Sequence, residues 1–298
     1  MNHIFLKKRW VTSLILFLCA PMLAAAQSKI LATPGAMQLE GSAGGGIVPW
    51  AVIGSYGHED EWGASAALTK VQVNDLSITS AGFLLGVDNR WEFSVASQQL
   101  RLGADANAEL AAATAGAWTK LTVQQDIFGV KARLAGDLIY GQMPLIAVGL
   151  QHKVNRDAEL ATQVLGAHTS RDNDYYVSAT KLYLDALAGG NLLVNATARY
   201  TAANQAGLLG FGANGKLSPR WVPELSVGWQ FASHWLVGME YRKLPNGLAS
   251  APESRWADAF VAWFPNKRMS VVAAYADLGD VALWPEQRGW YLSVQINN

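Results

Sequence analysis
The sequence predicts an all-β chain, a transmembrane antiparallel up-and-down β-barrel of about 12–14 strands, and three observations predict it. The first is alternation. From Pro223 onward Leu225, Val227, Trp229 and Phe231 alternate with Glu224, Ser226, Gly228 and Gln230; after Ala232-Ser233-His234, Trp235, Val237, Met239 and Tyr241 alternate with Gly238, Glu240 and Arg242. A period of two sets one face of each limb in an apolar medium and the other in a polar one. The second is length. Each limb has about 9 to 11 residues, what a tilted strand needs to cross hydrocarbon, and Trp229, Phe231 and Trp235 gather near the turn, as aromatic residues do at a membrane interface. The third is that charged residues are 15% of the chain, against about 25% in soluble domains, although no stretch after Leu23 has the roughly 18 consecutive apolar residues of a spanning helix. A closed barrel reconciles the two, because its backbone groups pair between strands and lipid replaces water on one face. A soluble sandwich also alternates, but these polar rows are mostly Gly, Ser, Ala and single charges, too sparse to coat a water-facing surface.

Residues 1–26 read as a secretory signal: Lys7, Lys8 and Arg9, then the apolar run 10–23, then Ala24-Ala25-Ala26. The apolar run is shorter than the roughly 20 residues a spanning helix needs. Cys19, the single cysteine, falls inside it and follows Leu18 rather than a small residue, so the mature chain is expected to carry no thiol, disulfide or lipid anchor. Loss of three of the 23 basic residues leaves the mature chain slightly acidic. That balance argues against nucleic acid as a partner, which calls for a basic patch.

Residues 27–46 read as a flexible N-terminal segment, Gly-rich at Gly41-Ser42-Ala43-Gly44-Gly45-Gly46 and with room for a first strand at 37–44; residues 47–298 read as the barrel. Strands are expected at 48–56, 62–73, 76–87, 90–95, 123–135, 146–153, 175–185, 192–200, 223–231, 235–242, 256–264, 269–277 and 289–296, separated by turn signals such as Asn74-Asp75, Asp88-Asn89 and Gly189-Gly190-Asn191. That number is odd and barrels carry even numbers, so either 37–44 adds a strand or one early segment does not span. The Ala-rich stretch 103–118 breaks the alternation and suits a short helix in a loop. In 175–185 the inward face is ambiguous, because Lys181 falls in the row of Val177 and Ala179. Connections alternate between short ones, at 88–89, 186–191, 232–234 and 265–268, and longer ones, the asymmetry of barrels with periplasmic turns and outer loops.

The functional signal is the inward row. Glu92, Lys131, Arg133, Gln151, Lys153, Arg199, Glu224, Glu240, Arg242 and Asp258 are expected to line the lumen, together with Asn195 and Thr197. Facing charges of both signs narrow a pore and tune its selectivity, which fits a passive, porin-like channel for small polar solutes. The same charges paired with one another would instead fill a closed barrel with a structural or surface-interaction role. An enzyme is not expected, and neither is a cofactor or metal. Gly210-Phe211-Gly212-Ala213-Asn214-Gly215-Lys216 fits a phosphate-loop spacing but has Leu217 where Ser or Thr is needed. His168, Ser170, Asp172 and Asp174 share one outer loop, the basis of a less favoured hydrolase reading, yet a triad is a matter of geometry, not adjacency. Asp277, Asp280 and Glu286 offer oxygen ligands without the spacing of a known calcium loop.

Certain stretches also resemble a family. Gly41 to Gly46 with Pro49-Trp50-Ala51, then Gln125-Asp126-Ile127-Phe128-Gly129, Leu208-Leu209-Gly210-Phe211-Gly212, Asp277-Leu278-Gly279-Asp280 and Gln287-Arg288-Gly289-Trp290-Tyr291-Leu292-Ser293 resemble bacterial proteins of unknown function regarded as outer-membrane barrels. The resemblance spans nearly all the mature chain. It implies a Gram-negative outer membrane, contact with membrane lipid and insertion by the outer-membrane assembly machinery, and it implies no activity. Barrels of this kind usually end on an aromatic residue, where this sequence has Ile296-Asn297-Asn298.

Overall fold
The computed structural model describes residues 28–298 except 114, 117, 118 and 283, so the signal expected at 1–26 lies outside the described residues. Two short strands, β1 (Ala36–Met37) and β2 (Ala43–Gly44), pair with each other alone. The remaining twelve form one closed antiparallel barrel. They are β3 (Trp62–Val73), β4 (Leu76–Val87), β5 (Trp91–Leu102), β6 (Thr122–Ala135), β7 (Leu145–Asn155), β8 (Arg171–Leu187), β9 (Gly190–Thr201), β10 (Arg220–Ala232), β11 (Trp235–Lys243), β12 (Arg255–Asn266), β13 (Met269–Asp277) and β14 (Arg288–Asn297). Each pairs with its neighbours in sequence, and β14 closes on β3 from Gly289↔Val73 to Asn297↔Ser65. Closure leaves no unpaired edge, which is what an interior of lipid requires.

Period-two sequences form these strands, and burial follows the period. On β10, Val222, Glu224 and Ser226 are buried while Trp221, Leu225 and Val227 are exposed. The exposed row is the apolar one, the inversion expected where lipid takes the place of water. Aromatic residues edge this band at both ends: Trp235 stacks on Trp263 at 5.8 Å near the short turns, and Tyr200 meets Trp221 at 5.3 Å near the long loops. Of the loops, 103–121 carries α1 (Ala104–Ala113), the helix expected there.

Two expectations need correction. The stretch 48–56 is not a barrel strand, and residues 36–57 do not behave as a flexible leader: every one of them is buried. The chain enters at the short-turn end, rises inside the barrel to a bend at 38–46, and returns to start β3. The odd strand number thus resolves through an early segment that does not span. The reason is local. Ile47-Val48-Pro49-Trp50-Ala51-Val52-Ile53 does not alternate, so no orientation in a single-layer wall buries all of it, and Pro49 has no N–H to give a ladder. Lys181 also finds its explanation. Its row points outward, but its Nζ donates to the Asp137 and Tyr140 carbonyls of the 136–144 connection, leaving Asp174, Tyr176, Ser178 and Thr180 as the inward row of β8.

Candidate functional site: a lumen closed by its own N-terminal segment
Glu40 is the centre of the lumen. It sits at the bend of the inner segment and is fully buried; its Oε1 accepts from Lys153 Nζ at 2.5 Å and Arg242 Nη2 at 3.0 Å, while its Oε2 lies 2.9 Å from Arg242 Nη1 and 3.5 Å from Arg199 Nη2. The wall cations are themselves shared with wall anions: Lys153 with Asp174 at 2.7 Å, Arg199 with Glu224 at 2.5 Å, and Arg242 with Glu224 at 3.2 Å. Three cations, Lys153, Arg199 and Arg242, thereby face three anions, Glu40, Asp174 and Glu224, so the cluster is neutral only with the segment in place. Burial alone would push the Glu40 carboxyl up, but Arg242, Lys153 and Arg199 together hold it well below the usual carboxylate range.

Polar wall groups grip the segment's backbone along its length. Glu92 accepts from the Ala43 and Gly54 N–H groups, and its partner Lys131, 3.1 Å away, donates to the Ala43 and Trp50 carbonyls. Glu240 Oε2 accepts from the N–H groups of Gly46 and Ile47 at 2.6 and 2.8 Å. Ser80 and Gln98 donate to Leu39 O, Thr197 donates to Pro49 O, and the Ala51 N–H donates to Thr180 Oγ1 at 2.7 Å. A segment with few β-ladder bonds must satisfy its buried amides elsewhere, and the barrel's polar row is where it does so. Close approach matters too: a Cβ on Gly45 would fall 2.1 Å from Glu240 Oε1.

The far mouth is shut by the loop 202–219, whose Asn204–Gly207 turn dips inward. Lys153 Nζ donates to Ala206 O at 3.0 Å as well as to Glu40, so the inner segment and the outer loop meet on one lysine. Gln205 and Ala206 have left-handed φ of 46° and 59°, a conformation side chains disfavour. The turn is pinned by Glu253, which accepts from the Gln205 N–H, and by Trp256 Nε1 donating to Gln205 Oε1. Burial pushes the Glu253 carboxyl up to about 7. At the opposite mouth Lys29 donates to the Ile53 and Ser55 carbonyls, and burial pushes its amine down to about 7.

Of the expected lumen residues, Glu92, Lys131, Gln151, Lys153, Arg199, Glu224, Glu240, Arg242 and Asp258 all face inward and are buried. Arg133 stands apart, half-buried at the short-turn mouth beside Asp137. In this conformation the inward-facing residues are covered by other described residues, and most of them bind the segment or one another. Asp258 is the exception. It pairs across the strands with Glu240, yet both its carboxylate oxygens are buried without a hydrogen-bond partner. The sequence reading missed Glu40, taken as part of a leader, and Asp174, taken as loop. Two of the acids weighed for a hydrolase or calcium site are strand residues held in ion pairs: Asp174 on β8 with Lys153 and Arg199, and Asp277 on β13 with Arg255 and Arg288.

A model for a family described as "Protein of unknown function (DUF3034)" matches residues 33–295. No curated protein matches the chain. Among solved structures, the KdgM porin is 9% identical with a TM-score of 0.46, covering 78% of this chain and 98% of its own. The NanC porin is 11% identical at 0.45, covering 79% and 98%, and Omp33 of Acinetobacter baumannii 9% at 0.44, covering 81% and 100%. The barrel itself is established by its strand pairing, independently of these likenesses.

Proposed function
This chain belongs to the DUF3034 family, and from that premise we propose that it is a gated, porin-like channel of the bacterial outer membrane, held shut by its N-terminal segment and passing small polar solutes when that segment leaves. The signal-like residues 1–26 would route it to the periplasm, and the assembly machinery would insert it with short turns inside and long loops outside. The observation that carries the reading is the wall behind the segment. A barrel meant only to be filled is served better by apolar residues, since buried ion pairs are poor stabilisers. This wall presents Lys131, Lys153, Arg199, Arg242, Glu92 and Glu224, groups suited to hydration once the space empties. A second reading, a permanently closed barrel with a structural or surface role, is favoured by the number of backbone groups the wall grips.

A tether separates the two. The mature chain carries no native cysteine, so Ala51→Cys with Thr180→Cys, where an N–H already meets a side chain, joins segment to wall without competing thiols. In planar bilayers the gated reading expects conductance steps from the reduced protein and their loss on oxidation. Silence in both states would favour the permanently closed barrel.

A further inference from the structure
The inward rows are not polar throughout. At the loop ends of β3 to β6 they turn apolar, through Val71, Val73, Leu76, Leu100, Leu102 and Val123, all buried. Above this collar, α1 and the outer loops surround a cavity of about 190 Å³, open at Val164 and Ser250 and lined by Leu76, Leu102, Leu110, Leu121, Leu160 and Trp284, among others. It borders Leu209 of the loop that shuts the lumen.

We infer that this outer chamber binds one small apolar molecule, a linear or aromatic hydrocarbon of about six to ten carbons, on the scale set by a 150 Å³ cavity that accepts benzene. The chemistry of the lining selects that class. Among the described residues that line it, Ser250 carries the only hydroxyl and already donates to Leu165 O at 2.6 Å, and the Trp284 indole N–H donates to Glu109 Oε2 at 3.1 Å. The described lining side chains thus offer no unpaired polar group, and a polar ligand would lose its water without replacement. A protein partner does not fit a space of about 190 Å³. Leu76, Leu100 and Leu102 approach it from the luminal side of the wall, and its exposed edge, at Val164 and Ser250, lies on the loops, so the occupant arrives through the loop end as a free molecule, not as an acyl chain reaching in from the bilayer. This site is independent of whether the barrel ever conducts.

The test uses the full mature protein in lipid nanodiscs and a hexyl diazirine as photoprobe, with labelled peptides identified by mass spectrometry. Saturable labelling is expected on peptides carrying Leu110, Leu160 and Trp284, competed by toluene, beside non-saturable labelling of lipid-facing strands. Two bulky variants at separate walls, Leu160→Trp on the 160–164 helix and Leu110→Trp on α1, should each raise half-saturation at least tenfold, with heat-modifiable migration confirming an intact barrel. Labelling of those peptides that fails to saturate, or that both folded variants leave unchanged, overturns the inference. So does equal labelling of them by a phospholipid carrying the diazirine on its acyl chain. Neither result bears on the tether experiment, and silence there leaves this one intact.

Discussion

Replacing Glu40 by Gln keeps the shape of the side chain and removes one charge from the centre of the lumen. Lys153, Arg199 and Arg242 then face only Asp174 and Glu224, and the cluster of buried groups passes from neutral to one excess positive charge. Breaking a buried ion pair from one side costs about 3–5 kcal/mol. The glutamine oxygen still accepts a hydrogen bond, so the lower part of that range applies. At about 1.4 kcal/mol per factor of ten, the ratio of seated to released segment falls roughly 10²-fold or more. Planar bilayers should show it as a matching rise in open time, with the single-step size unchanged because the wall is unaltered. Combining Glu40→Gln with Lys153→Met restores neutrality, two cations against two anions, and should recover about 1 kcal/mol or more of the loss, a coupling in the range contacting residues display. Unchanged open time in a well-folded Glu40→Gln barrel would refute the claim that this cluster holds the segment.

Other consequences follow from the same geometry. Gly45→Ala leaves every charge in place but puts a methyl group where Glu240 lies; open time should rise, and protease cleavage within 36–57 should accelerate at least tenfold. The two mouths should respond oppositely to pH. Glu253 holds its proton more tightly folded than unfolded, so its contribution is full below about 4.5 and is lost as pH rises through about 7. Lys29 is depressed when folded, so its contribution is full above about 10.5 and is lost as pH falls through about 7. Limited proteolysis should therefore find the 202–219 loop looser at pH 8.5 than at 5.5 and the 28–35 segment looser at 5.5 than at 8.5. Glu253→Gln should flatten the first trend and Lys29→Met the second.

Where sequence and structure agree, one physical rule did the work. Over most of its length each wall strand separates an apolar outer face from a polar interior, so alternation at Leu225, Val227 and Trp229, or at Trp290, Leu292 and Val294, is the direct record of that boundary. The rule fails for a segment surrounded on all sides. Ile47 to Ile53 carries no alternation to read, and a short apolar run is equally compatible with a wall strand and with a buried insert; Pro49 and the glycines before it were the available hints. Glu40 could not be singled out, because a lone carboxylate in a Gly-rich stretch has no partner until the barrel closes around it and brings Lys153 and Arg242, 113 and 202 residues away, within reach. Asp174 was hidden by the boundary of β8, which starts at Arg171 and so turns its side chain into the lumen. The inward charges were legible as a row; that they grip a backbone was not, since hydrogen bonds to main-chain groups leave no mark on composition.

The central claim is that residues 36–57 occupy the lumen of the membrane-embedded barrel. Hydrogen–deuterium exchange of the full mature protein in nanodiscs tests it most directly. Seated as described, the amides of Ala43, Gly46, Ile47, Ala51 and Gly54 are buried and bonded to wall side chains, and peptides covering 38–54 should exchange as slowly as those of β9 and β10. Exchange of those peptides within seconds, with the wall strands protected, would mean that the segment lies outside the barrel and that the lumen is open.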